Sequence, residues 1–165
     1  MLNREPRLEC SLLPGKPTPF LKWAGGKSRL IPQLSAFLPS QPFDGYLEPF
    51  VGGGAVFFHV RATLGAGRYT LIDNNAELIH AYRMVRDETD ALIHHLEQHR
   101  WLHSKGHYYE VREQEPALLE PVERAARFIY LNKTCYNGLY RVNSRGQFNV
   151  PIGAYQNPQI YDSDN

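Results

Sequence analysis

Cysteine is scarce: Cys10 and Cys135 are the two in 165 residues. So separated a pair makes no disulfide framework and matches no metal-ligand spacing, which suits a reducing cytosol and a cytoplasmic location. Long apolar runs are missing too. None approaches the ~18 residues of a transmembrane helix, and residues 1–19 lack the apolar core of a signal peptide. Nor is there an excess of one charge. With 18 Lys and Arg against 17 Asp and Glu, the net charge of +1 gives no global attraction to nucleic acid or membrane. Any such binding has to come from a local patch. A phosphate loop is excluded as well: Gly26-Lys27-Ser28 has its ending, but the glycine required five positions before Gly26 is Leu21. What remains, 42% hydrophobic and 21% charged, is the composition of one soluble globular domain with a sizeable core.

The stretch that organises the chain is Tyr46-Leu47-Glu48-Pro49-Phe50-Val51-Gly52-Gly53-Gly54-Ala55-Val56-Phe57-Phe58. It reads as a short strand, a glycine turn and the start of an apolar helix. An α/β sheet builds a nucleotide crevice from that order, because glycines let the backbone approach a ligand at the carboxyl end of the strand. A second strand-like run, Tyr69 to Ile72, ends in Asp73. Asp73 lies about 25 positions after Glu48, close to the ~20 expected for an acid that binds ribose hydroxyls. The pair points to an adenosine-containing ligand without saying which.

Either side of this centre the pattern is mostly helical. Prolines 6, 14, 17 and 19 make residues 1–19 a loose leader. Trp23 then stands beside a lysine-bearing glycine turn, where core packing and a flat pocket wall are equally good readings. Ser28 is placed to cap a helix with Leu30, Ile31, Leu34, Phe37 and Leu38 on its apolar side. Ala55 to Leu64 is apolar nearly all round and should be buried against the sheet. Leu78, Ile79, Tyr82 and Val85 recur at helical spacing, continued by Leu92, Ile93 and Leu96. His95, His99, His103 and His107 fall four apart, interrupted by Gly106. With no carboxylate pair or cysteine beside them, a solvated histidine face is the better reading than a metal site. Residues 117–135 form another helix, with Val122, Ala126, Ile129 and Tyr130 on one side. Beyond it, Ser144-Arg145-Gly146 between two alternating runs signals a hairpin. From 124 to 160 lie Arg124, Arg127, Lys133, Arg141 and Arg145 and no acid. Cations interleaved with Tyr and Asn suit DNA: charge for phosphates, amides for base edges, rings to wedge or stack.

KWAGGK at 22–27, LEPFVGGGAVF at 47–57, Asp73 with Asn75, and YLNKTCYNGLYRVNSRGQFNVPIGAY at 130–155 together resemble the DNA adenine methyltransferase family of the GATC-methylating type. The resemblance implies an enzyme that uses S-adenosylmethionine (AdoMet) to methylate the exocyclic amino group of adenine in duplex DNA, with no metal and no membrane. Carried over by position, Trp23, Ala24, Gly25 and Lys27 fall on the first cofactor motif, and Glu48, Phe50, Gly52 and Gly54 on the glycine turn. Asp73 falls on the acceptor for the ribose hydroxyls. Tyr136, Asn137, Leu139, Arg141 and Asn143 match positions that touch DNA.

One motif of the family is missing. No Pro-Pro occurs in the 165 residues, so the Asp-Pro-Pro-Tyr set that holds the flipped adenine has no counterpart and no catalytic residue is assigned. A smaller departure is Ala154 and Gln156, where GATC-type members often carry basic residues. The expected fold is α/β: a partial Rossmann-like AdoMet-dependent methyltransferase sheet with a helical and β-hairpin DNA-recognition insertion. The expected division is leader 1–19, cofactor part 20–75, recognition insertion 76–158, and 159–165 as the start of a carboxyl-terminal catalytic segment in the same or another chain. The isolated chain would then be an inactive portion. The alternatives are a DNA-binding module with a relic cofactor pocket, and a nicotinamide-dependent oxidoreductase. Gly52-Gly53-Gly54 disfavours the second, since it is not G-x-G-x-x-G.

Overall fold

The computed structural model describes residues 17–39, 43–65 and 67–162. Most of the expected leader, with Cys10, and the last three residues lie outside them. Strand β1 (Tyr46–Pro49) pairs in parallel with β2 (Tyr69–Ile72), in the register Tyr46 to Tyr69 through Pro49 to Ile72. Parallel neighbours need a crossover, and α2 (Ala55–Leu64) supplies it. Gly54, at φ 75°, starts that helix and Gly65, at φ 77°, ends it. The helix is less covered than its composition predicts. Only Ala55 and Val60 are fully buried, while Phe57 and Phe58 lie half-buried beside each other. Two strands are too narrow to cover an apolar helix all round.

The remaining elements are helical. A 3₁₀ turn at Lys27–Leu30 leads into the short α1 (Ile31–Ser35), and α3 (Ala76–Asp87), α4 (Thr89–Leu102), α5 (Lys105–Glu113) and α6 (Pro121–Thr134) follow β2. Ser28 does not cap a helix as its position suggests. It lies inside the 3₁₀ turn, whose N-cap is Gly26, and Phe37 beyond α1 is 85% exposed. The apolar stripe from Leu78 to Leu96 is split into α3 and α4 at Glu88. Asn75 caps α3 by accepting the Leu78 N–H at 3.1 Å, and Ser104 caps α5 by accepting that of His107 at 3.1 Å.

Helix α6 is the centre of the core. It begins at Pro121, a residue suited to a helix's first turn, rather than at 117. Ala125 to Asn132 are all buried, so the helix is enclosed on every side by α3, α4 and α5. One continuous cluster joins Leu21 and Val51 to Leu78, Leu96, Tyr108, Tyr130 and Val150. Buried Arg127 is accommodated because its guanidinium donates to Val111 O at 2.9 Å and Arg112 O at 2.8 Å. These are carbonyls at the carboxyl end of α5, where a cation is favoured.

The histidines correct the expectation of a solvated face. Helix α4 ends at Leu102, and Gly106 lies inside α5, so the interruption falls at His103–Ser104. His99 stacks on the Tyr130 ring of α6 at 4.7 Å and shares a hydrogen bond with His107 (Nδ1 to Nε2, 3.0 Å). His103 Nδ1 lies 2.9 Å from the Tyr130 hydroxyl. His99 on α4, His103 at its C-cap and His107 on α5 thus converge on Tyr130 of α6. Among the described residues no group of three or more His, Cys, Asp or Glu is arranged to hold a metal ion.

Burial, with the neighbouring His107 and His95, lowers the His99 pKa to about 4, and burial lowers those of His103 and His107 too. Glu110, exposed, opposes the shift at His107. Groups depressed in the folded state take up protons more readily when unfolded. Their stabilisation is therefore complete above about pH 6.5 and falls as the pH drops towards 4. For His99 alone the loss by pH 5 is of the order of 2 kcal/mol. Urea midpoints at pH 7.5 and 5 should show this fall, and His99→Phe should flatten it. An equally steep fall in that variant would assign the acid sensitivity elsewhere.

Candidate functional site

The carboxyl ends of β1 and β2 lie side by side, and the chain turns sharply after each. Val51 N–H donates to Ile72 O at 3.0 Å, carrying the parallel pairing one step past the strands. The turn then needs left-handed backbone three times, at Phe50 (φ 60°), Gly52 (φ 52°) and Gly54 (φ 75°). Glycine takes this at no steric cost, but at Phe50 it is strained by ~1 kcal/mol or more. The strain holds an aromatic ring 71% exposed at the rim of the turn.

Three side chains fix the turn. Asp73 accepts the Gly52 N–H on one oxygen and the Asn75 N–H on the other, both at 3.0 Å. Tyr82 of α3 donates its hydroxyl to Gly52 O at 3.1 Å. Trp23 lies against the glycines: a Cβ at Gly52 would sit 2.8 Å from its Cδ1, and one at Gly54 would sit 2.4 Å from the Tyr82 hydroxyl. Glycine at both positions is thus required by space as well as by φ.

The result is a cavity of about 310 Å³ between the 23–27 segment and the ends of the two strands. Trp23, Ala24, Gly25 and Lys27 line it, together with Glu48, Phe50, Gly52, Gly54 and Asp73. All nine residues expected at a cofactor site therefore border the same space. Trp23 fits both of its readings. It is half-buried against the core, stacked on Tyr140 at 5.8 Å, and it also lines the cavity. Glu48 is 7% exposed and accepts the Tyr46 hydroxyl at 2.8 Å. Burial raises its pKa, against the opposing effects of the Tyr46 hydrogen bond and the Lys27 charge. The cavity thus carries two carboxyl side chains, Glu48 and Asp73, and one cation, Lys27, with a flat ring at Phe50. Asn75 belongs to the Asp73-to-Asn75 motif, but its capping of α3 and the role of Tyr82 at the turn do not show in the sequence. Tyr82 shows there only as one member of an apolar helical stripe.

The five residues expected at DNA occupy the segment after α6. Tyr136 (54% exposed), Asn137 and Leu139 lie on its first turn, and Arg141 and Asn143 on the arm that follows. The arm folds back as a hairpin held by Asn143 N–H to Gln147 O (2.9 Å), Asn149 N–H to Arg141 O (3.1 Å) and an antiparallel bridge between Val142 and Phe148. Asn143 builds that turn, since its side-chain oxygen accepts from the N–H groups of Arg145 and Gln147. Arg141 is steadied by Asn149, donating to its side-chain oxygen at 2.7 Å and its carbonyl at 3.2 Å. The acid-free basic stretch is smaller in space than in sequence. Arg124 is paired with Glu77 (Nε to Oε1, 3.0 Å), Arg127 is buried and Lys133 is half-buried, which leaves Arg141 and Arg145 as its exposed cations.

The D12 class N6 adenine-specific DNA methyltransferase family matches residues 23–165, which takes in the cavity and the hairpin together. The chain belongs to this family. Among D12 methyltransferases and their relatives, it is 44% identical over 161 residues to the type II methyltransferase M.MjaIII of Methanocaldococcus jannaschii, covering 89% of this chain and 56% of that protein. It is 39% identical over 150 residues to the DNA adenine methylase of Escherichia coli K12, covering 88% of this chain and 51% of that one. The type II methyltransferase M1.LlaDCHI of Lactococcus lactis is 41% identical over 88% of this chain. The chain spans about half the length of the curated relatives it matches. A methyltransferase family implies a methyl donor, and among the described residues no helix is long and apolar enough to cross a membrane.

Proposed function

We propose that these residues form the donor-binding and DNA-gripping part of a cytoplasmic, AdoMet-dependent enzyme that methylates the exocyclic amino group of adenine in duplex DNA. The observation that carries the reading is the convergence of nine residues, spread from Trp23 to Asp73, on one cavity. The cavity's chemistry fits AdoMet. Lys27 answers the carboxylate of the cofactor's amino-acid tail, and buried Glu48 the positive charge beside it. Phe50 offers its exposed ring to the adenine, and Asp73 keeps lone pairs for the ribose hydroxyls beyond the two it gives to Gly52 and Asn75. When bound, the cofactor supplies an electrophilic methyl group, and the chemistry requires no metal. In this reading residues 20–75 form the donor part of a Rossmann-like sheet and 76–158 the recognition part. Titration calorimetry tests it: AdoMet should bind and NAD should not. Binding of NAD alone would overturn it in favour of a nucleotide-dependent oxidoreductase.

The DNA half of the proposal rests on the exposed arm. Arg141 spends two guanidinium donors on Asn149 and keeps the rest for a phosphate. Arg141→Ala should weaken binding to all duplexes alike and reduce the slope of log affinity against log salt by about one. Arg141→Lys, which keeps the charge, should hold the slope. A duplex-binding titration from low to moderate salt reads both. An unchanged slope in Arg141→Ala would remove this residue from the interface.

A further inference from the structure

Asn132 is a buried polar side chain that the donor cavity and the recognition arm leave unexplained. It lies near the end of α6 and is 1% exposed. Its side-chain oxygen accepts the Lys22 N–H at 2.8 Å, and its amide donates to Lys22 O at 2.7 Å and to Gly138 O at 3.2 Å. Asn132 thus treats Lys22 as a strand treats its neighbour, and spends its second amide proton on another loop. Loss of either partner would leave buried polar groups without hydrogen bonds.

The two loops joined in this way are those of the two proposed binding surfaces. Lys22 is followed directly by Trp23 and the segment lining the donor cavity. Gly138 stands between Asn137 and Leu139, residues proposed to meet DNA. Their contact is close: a Cβ at Gly138, whose φ is +63°, would lie 2.3 Å from Lys22 Cβ. The Lys22 ammonium continues across the arm, donating to Lys133 O at 3.2 Å and resting 3.8 Å from the Tyr155 ring centre. A second link runs in parallel, since Trp23 stacks on Tyr140.

We propose that Asn132 is the positioning residue that couples the donor cavity to the DNA-contacting arm, so that occupation of either surface favours the conformation that binds at the other. The inference rests on the functional reading above for what each surface binds. The coupling must be reciprocal: a duplex raises AdoMet affinity by the same factor as AdoMet raises duplex affinity.

The test measures that factor in the 165-residue chain, as the ratio of AdoMet affinities with and without a saturating GATC-containing duplex. The wild type should give roughly fivefold or more, and Asn132→Ala a ratio near one. Gly138→Ala forces Lys22 and the arm apart while leaving Asn132 in place, and should lower the ratio as well. A residue with a merely structural role would lower both affinities and leave their ratio intact, which would overturn the proposal. Amide hydrogen exchange without ligands supplies the second readout. Residues 22–27 and 136–139 should lose protection together in Asn132→Ala, and loosening of one segment alone would also overturn it. If the wild type binds AdoMet and the duplex without mutual effect, the coupling fails and the functional reading survives. If it binds neither, the functional reading fails and the coupling falls with it.

Discussion

Replacing Asp73 by alanine should lower the affinity for AdoMet by roughly 10- to 150-fold. In the proposed site the carboxylate offers charge-assisted hydrogen bonds to the ribose hydroxyls, and loss of such a bond costs ~1.5–3 kcal/mol, with each 1.4 kcal/mol worth about tenfold. The structure adds a second route to the same loss. Asp73 also holds the Gly52 and Asn75 N–H groups, so its removal slackens the glycine turn and the cap of α3. Asp73→Asn separates the two effects. Its remaining oxygen can still accept from the turn, while the lost charge and acceptor weaken the grip on the ribose. Asp73→Asn should therefore unfold close to the wild-type midpoint in urea and bind AdoMet more weakly, whereas Asp73→Ala should lose on both counts. Calorimetry and urea titration read the pair. Unchanged AdoMet affinity in a folded Asp73→Ala protein would take this residue out of the site.

The 165-residue polypeptide alone should transfer no methyl group to adenine in duplex DNA, even if it binds donor and duplex as proposed. Extruding an adenine costs roughly a few kcal/mol of stacking and pairing, which contacts to the extruded base must return. Its amino nitrogen is a poor nucleophile, because the lone pair is delocalised into the ring. An acceptor must orient the amino protons, and a stacking partner must hold the ring with the nitrogen within ~3–3.5 Å of the methyl carbon. In the proposed site the acids of the cavity are already used. Asp73 serves the glycine turn and the ribose hydroxyls, and Glu48 serves the Tyr46 hydroxyl and the charge of the cofactor's tail. Phe50, the exposed ring there, is assigned to the cofactor, and no Pro-Pro motif exists among the 165 residues. Supplying a segment that carries Asp-Pro-Pro-Tyr, covalently or in trans, should start transfer from a background of none. A radiolabelled methyl assay decides the matter. Robust incorporation by the chain alone would mean that an acceptor already present does the work.

The cavity at the strand ends was legible in the sequence because its parts are local. A strand, a glycine turn and a helix follow one another directly from Tyr46 to Phe58, and Asp73 ends the next strand. Parallel pairing then brings the two strand ends together, whatever the rest of the chain does. Left-handed backbone at Gly52 and Gly54 is likewise foreseeable, since glycine is the residue that takes it freely. Phe50 was not foreseeable in that conformation, because its φ is imposed by the turn around it.

Elsewhere the sequence supplied a periodicity without saying what would cover it. The four-residue spacing of the histidines was visible, but His99, His103 and His107 meet Tyr130 rather than a solvated face. The apolar side of α6 was visible, yet not its enclosure by three other helices, nor the place of Arg127 and Asn132 inside it. Five cations between 124 and 160 looked alike in the sequence. Folding set Arg124 against Glu77 and Arg127 against the end of α5, and left Arg141 and Arg145 exposed on the arm. By itself, then, the sequence determined the strand, glycine turn and helix order and the residues that line the cavity. Tertiary structure decided which charges stayed free and which loops touch, because a polar group's role depends on what lies opposite it across the core, often a hundred residues away in the chain.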